Sequence, residues 1–89
     1  MNPKVKEVKP LEGYKLFLVF TNNEIGIFDV SQYLDDKFWN GLKDIEVFRT
    51  VKVSGGSIEW SNGADFCPDE VYEKSIIIGK EVVAWMEQI

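Results

Sequence analysis

The side chains with the strongest chemical potential crowd into residues 59–73. Glu59, Asp65, Cys67, Asp69, Glu70 and Glu73 fall there, with no Lys or Arg between them. One thiol among five carboxylates invites three chemistries. The first is a reactive thiolate. Cys67 stands just before Pro68-Asp69-Glu70, which reads as a helix start, and a helix N-terminus lowers a thiol pKa. Asp65, Asp69 and Glu70 lie beside it in sequence and oppose a thiolate, so Cys67 reads as a packed or idle thiol. The second is binding of a hard cation by Asp65, Asp69, Glu70 and Glu73. Such ions want oxygens converging from a loop. A helix starting at Pro68 directs Asp69 and Glu70 outward, and no Asp-x-Asp-x-Asp-Gly loop is present. The third is acid–base work by paired carboxylates, which needs a cleft and one raised pKa. Asp29 is the most placeable candidate there, and reads more simply as an Asp that starts a turn.

The chain has no histidine, which removes Ser-His and Cys-His nucleophile pairs, histidine zinc ligands and histidine proton shuttles. A single cysteine removes cysteine-held zinc and iron–sulfur sites and any internal disulfide, and fits a reducing compartment. Gly55-Gly56 lacks the lysine spacing and strand–loop–helix context of a phosphate loop. No catalytic residue, cofactor or metal ligand is therefore assigned. The acids that remain have two readings: an acidic face for a basic partner, or a solvated face with helix-start acids. Of the tryptophans, Trp60 reads as core and Trp39, in a loop-like stretch, as a partially exposed anchor.

A net charge of −5 and a pI near 4.6 argue against free-standing binding to nucleic acid or an anionic membrane. The N-terminus lacks the apolar stretch of a signal peptide, and no apolar run approaches the ~20 residues that span a bilayer. The expectation is a cytoplasmic protein. At 89 residues it makes one domain, and 45% hydrophobic content supports a genuine core.

The elements that must position these residues centre on Thr50–Tyr72. Gly55-Gly56 is a two-residue hairpin signal, because a type I′ turn needs positive φ at both central positions. That register sets Ser54 opposite Ser57, Val53 opposite Ile58, Lys52 opposite Glu59 and Val51 opposite Trp60. Val51, Val53, Ile58 and Trp60 then share one dry face. A second two-residue turn at Asn62-Gly63 sets Trp60 opposite Asp65, Glu59 opposite Phe66 and Ile58 opposite Cys67. A carboxylate then shares the tryptophan's face, unless a bulge re-aims Asp65 or the third strand is short and irregular.

Upstream, Lys4–Lys9 reads as an edge strand with Val5 and Val8 out of alternation, followed by a turn at Pro10–Gly13. Tyr14–Phe20 is the strongest strand. Tyr14, Leu16, Leu18 and Phe20 take one face, and Phe17 and Val19 take the other, so the strand is expected to be covered on both sides. Ile25–Val30 returns, with Gly26 marking a bulge or a close contact. Ser31 is expected to cap a turn through Leu34, Gly41 to stop a second, and Asp44 to cap Ile45–Arg49. In the tail, Ile78, Val82, Met86 and Ile89 have helical spacing for a helix over Gly79–Gln88, with Ile76–Ile78 a short strand or the helix entry.

The pattern Ile-Glu-Trp-Ser-Asn-Gly-Ala-Asp-Phe-Cys-Pro-Asp-Glu-Val-Tyr, residues 58–72, resembles the signature end of domain-of-unknown-function family 2442. The run Tyr14–Phe20, then Phe28-Asp29-Val30, then Phe48, fits the same family's order, and the resemblance covers roughly residues 5–72. It implies a bacterial accessory protein without an agreed activity. Some relatives look like partners of small neighbouring proteins in toxin–antitoxin-like pairs. Others carry the domain ahead of a helix-turn-helix, for which this chain has too few residues after the core.

The expected fold is α+β: an antiparallel meander of five or six short strands, short helical turns on its face and a C-terminal helix. Residues 1–74 form the domain, and 75–89 a helical extension packed on it or used for dimerisation. The expected function is a non-catalytic protein-interaction module, the acidic partner of a basic protein, with partner contacts among Trp39, Asp65, Asp69, Glu70, Glu73, Trp85, Met86 and Ile89. Two alternatives stand beside it: a small-ligand binder or enzyme using carboxylates in a cleft, and a homodimer through the C-terminal helix.

Overall fold

A computed structural model describes residues 2–80. Three strands lead: β1 (Val5–Leu11), β2 (Lys15–Phe20) and β3 (Glu24–Asp29). Two 3-10 turns, Ser31–Tyr33 and Asn40–Lys43, and a short helix α1 (Ile45–Phe48) follow. The hairpin β4 (Lys52–Ser54) and β5 (Ser57–Glu59), the helix α2 (Pro68–Lys74) and the strand β6 (Ile76–Lys80) complete it. The strands do not make one continuous meander. β1-β2-β3-β6 form a four-stranded antiparallel sheet, and β4-β5 stand apart as a two-stranded one.

β2 sits inside the larger sheet because its alternation supplies two apolar faces. Leu16, Leu18 and Phe20 are buried on the inner face with Phe28 of β3. Leu34, Leu42 and Phe48 from the helical turns, Ile58 and Trp60 from the hairpin and Val71 from α2 close over them as one core. β1 is the expected edge strand. Its register shifts between Val5 and Glu7, and it runs on through Pro10 to Leu11. Proline is tolerated there because an edge strand can spare an N–H. The turn therefore falls later than expected, at Gly13 and Tyr14, with φ of +76° and +58°. Tyr14 leaves the strand but still packs its ring edge-on against Phe48 at 5.2 Å.

Gly26 fills both roles expected of it. A bulge interrupts the β3–β6 ladder between Ile25 and Gly26. A Cβ at Gly26 would lie 2.9 Å from Phe20 Cε2 and 3.1 Å from the Ser75 side chain. The Gly55-Gly56 turn also folds as read, with φ of +57° and +80° and the register Lys52–Glu59, Val53–Ile58, Ser54–Ser57. The dry face is narrower than expected. Ile58 is 1% exposed but its partner Val53 is 38% exposed. The hairpin docks on the sheet through Val5 N, which donates to Gly56 O at 2.9 Å.

Two helix ends differ from expectation. Ser31 is not a cap: its amide and hydroxyl donate to Asp29 Oδ1 at 2.9 and 2.5 Å, so the preceding carboxylate organises that turn. Gly41 lies within its 3-10 turn and does not stop it. Asp44 does cap α1, accepting from Glu46 N at 3.0 Å. Ile76–Ile78 form a strand, and Gly79 and Lys80, expected in the helix, belong to β6. The remainder of the expected C-terminal helix lies outside the described residues.

Candidate interaction surface

The acidic stretch rests on a turn that corrects the predicted register. Trp60 N donates to Ala64 O at 2.9 Å, Gly63 N donates to Trp60 O at 3.0 Å, and Glu59 bridges Asp65. The loop is thus Ser61-Asn62-Gly63, with Gly63 at φ +88°, where a two-residue Asn-Gly turn was predicted. Three-residue hairpin loops of this kind end in a left-handed residue, which glycine supplies without steric cost. The one-residue shift exchanges the faces. Ala64 and Phe66 are buried, while Asp65 points out beside Glu59. The clash between a carboxylate and the Trp60 face disappears.

Aromatic and polar contacts hold this segment. Trp60 is 1% exposed and its Nε1 donates to Phe48 O at 2.9 Å, as a buried indole requires. The buried Ser57 hydroxyl donates to Phe66 O at 2.6 Å. Trp39, expected to be partially exposed, is half-buried. It lies flat on Phe66 and its Nε1 donates to Asp65 O at 3.1 Å. Its neighbour Phe38 is the exposed ring, at 60%.

α2 begins as read, with Pro68 in its first turn followed by Asp69 and Glu70. Val71 is fully buried and Tyr72 meets Phe20 edge-on at 5.0 Å. Asp69 and Glu73, four residues apart, are both exposed and share the outer side of the helix. Glu73 accepts from Asn2 Nδ2 at 3.0 Å. Glu70 is half-buried and takes a long, 3.5 Å hydrogen bond from the Tyr33 hydroxyl. Burial, with the Glu70 charge behind it, pushes the Tyr33 pKa up. Tyr72 OH donates to Glu24 Oε1 at 2.5 Å. That bond, ahead of the one from Asn22, holds the Glu24 carboxyl below its ordinary range and raises Tyr72 in turn.

The structure thus gathers Asp65, Asp69, Glu70 and Glu73 onto one helix and the loop before it, with Trp39 supporting from behind. Trp85, Met86 and Ile89 lie outside the described residues. Cys67 is exposed, not packed. Among the described residues no three His, Cys, Asp or Glu side chains group as a metal site, and no helix is long and apolar enough to cross a membrane. Asp29 is engaged with Ser31 at the end of β3.

Two surface features escaped the sequence reading. An open groove of about 230 Å³ is lined by Pro10, Leu11, Glu12, Ile45, Phe48 and Arg49, with Glu12 its one carboxylate. It joins two segments far apart in sequence, and no spacing signals that. The other is β6, whose Ile76 and Ile78 are 69% and 60% exposed. Three consecutive isoleucines read equally as strand or helix entry, so periodicity alone left them undecided.

No curated protein and no solved structure matches the chain. The profile of one family, described as a protein of unknown function (DUF2442), matches residues 5–76, from the first strand to the first residue of the last. The chain therefore belongs to the DUF2442 family.

Proposed function

We propose that this protein is a non-catalytic interaction module of the bacterial cytoplasm that offers an acidic surface to a basic protein, as the acidic member of a toxin–antitoxin-like pair. One observation carries the reading: Asp65, Asp69 and Glu73 are exposed together, and no cation lies between residues 59 and 73 to offset them. Trp39, Phe66 and Trp60 hold the segment from beneath, so a partner meets a preformed surface and association loses little to ordering. Complementary charge of this kind steers encounter and makes it sensitive to salt.

The test compares the wild-type chain with a D65K/D69K/E73K variant as bait in extracts of the native host, at low and at high salt. The expected result is a basic protein that is retained at low salt, released at high salt and lost by the variant. Recovery of no basic protein at either salt, or equal recovery by bait and variant, overturns the proposal.

A further inference from the structure

The four-stranded sheet has a second apolar face, and no described helix or hairpin residue joins it to the core. The ladders fix its composition, since directly paired residues point to the same side. One row across the sheet reads Lys9, Phe17, Ile27, Ile76, and the next reads Glu7, Val19, Ile25, Gly79. Phe17, Ile25 and Ile27 are half-buried, and Ile76 is 69% exposed. Among the described residues these four, with Val19, belong neither to the core cluster nor to the side chains packed against it. The middle of the face is apolar at β2, β3 and β6, and it turns charged at β1 and at the row Leu11, Lys15, Asp29 that ends it. An antiparallel sheet with a solvated outer face would alternate to polar residues in that middle.

The length of chain beyond Lys80 and the place where it departs point to the occupant. β6 is a margin of the sheet, and Lys80 pairs with Glu24 at the end of β3, next to Ile25. The chain continues as Glu81-Val82-Val83-Ala84-Trp85-Met86-Glu87-Gln88-Ile89, in which six of nine residues are apolar. The sheet is about 14 Å across, taking ~4.8 Å between strands. Nine residues reach about 13 Å as a helix and about 30 Å extended, so either form crosses β3 and β2. A tethered segment also meets the face at an effective concentration in the millimolar range, which a second molecule does not match at ordinary dilution.

We infer that residues 81–89 dock on this outer face of their own chain, setting Val82, Val83, Trp85 and Met86 against Phe17, Ile25, Ile27 and Ile76. The sheet is then covered on both sides. The inference does not depend on the acidic surface, which belongs to the opposite layer.

The test uses the full chain carrying C67S and A84C, with a nitroxide on the new thiol, and a second chain labelled through Q88C. Amide intensities are read against the reduced label. Docking predicts that Phe17, Ile27 and Ile76 lose most of their intensity while Leu42 and Phe48, beneath the other face, keep theirs. In an equal mixture of labelled chains with unlabelled, isotope-enriched chains the losses should vanish. Uniform or absent losses from both label positions overturn the inference. Losses that persist in the mixture also overturn it, since a second copy would then occupy the face.

Discussion

Trp39 lies face to face on Phe66, with ring centroids 4.8 Å apart and planes 5° from parallel. Its Nε1 reaches Asp65 O at 3.1 Å, so one side chain holds both the ring and the backbone of the acidic loop. Removing a large aromatic costs most where it is fully buried. For the half-buried Trp39, W39A should lower stability by about 2–3 kcal/mol, whereas W39F, keeping the stack and losing the hydrogen bond, should cost about 1 kcal/mol. Urea unfolding of the three proteins checks the ordering. Equal stability of W39A and wild type would show that the stack contributes nothing.

The approach at Gly26 leaves no room for a methyl group. A Cβ there meets the Phe20 ring at 2.9 Å and the Ser75 side chain at 3.1 Å, and both neighbours are fixed, one in the core and one at the end of α2. G26A should destabilise by about 1–3 kcal/mol, the usual range for overpacking. Hydrogen exchange should locate the effect at β3, β6 and Ser75. Unchanged exchange at β6 would mean that the bulge absorbs the methyl.

The two sides of the β4–β5 hairpin should respond unequally to truncation. Ile58 is 1% exposed and Val53, its direct partner, is 38% exposed. I58A should cost about 2–4 kcal/mol, in the range for buried aliphatic residues, and V53T less than about 0.5 kcal/mol. Comparable losses at the two positions would refute the asymmetry of this hairpin.

The Tyr72–Glu24 bond should make stability depend on pH in a defined direction. Glu24 holds its proton less tightly in the folded state, chiefly because the Tyr72 hydroxyl donates to it. Its contribution is therefore present above the unfolded carboxylate range and is lost as pH falls through the folded pKa. Tyr72, held protonated by Glu24, contributes below the unfolded tyrosine range and loses that contribution as pH rises through its raised pKa. Y72F should thus be less stable than wild type near neutrality, and the two should converge as pH falls below the ordinary carboxylate range and again as it rises above the ordinary tyrosine range. Denaturant midpoints across both ranges test it. A constant gap at all pH values would show that the Glu24 charge plays no part in the loss.

How much was legible in the sequence depended on how local the determinant was. The Gly55-Gly56 turn was readable because positive φ at two adjacent positions is a property of those residues alone. The same holds for Asp44 at α1 and Pro68 at α2. Asn62-Gly63 misled because glycine also suits the last position of a three-residue loop. What chose between the two loops was burial of Phe66 under Trp39, a contact 27 positions away in sequence. Val53 alternated correctly, yet no pattern shows that it would be left exposed opposite a buried Ile58. The apolar pair Phe17 and Val19 announced a second apolar face on β2, though not what would cover it. Of the proposed contact residues, Asp69, Glu70 and Glu73 could be placed from the helix start. Asp65 needed the corrected register.

The two margins of the four-stranded sheet are not equivalent. At β1, Val5 N is taken by Gly56 O, and Pro10 has no N–H to offer. At β6 the margin carries the exposed Ile76, Ile77 and Ile78, with no further strand beside it among the described residues. An unguarded margin is a template for another strand. Of the two margins of this sheet, β6 is the one that neither a proline nor a hairpin contact guards among the described residues. Two copies that paired through β6 would be related by a twofold axis, each offering the same margin to the other.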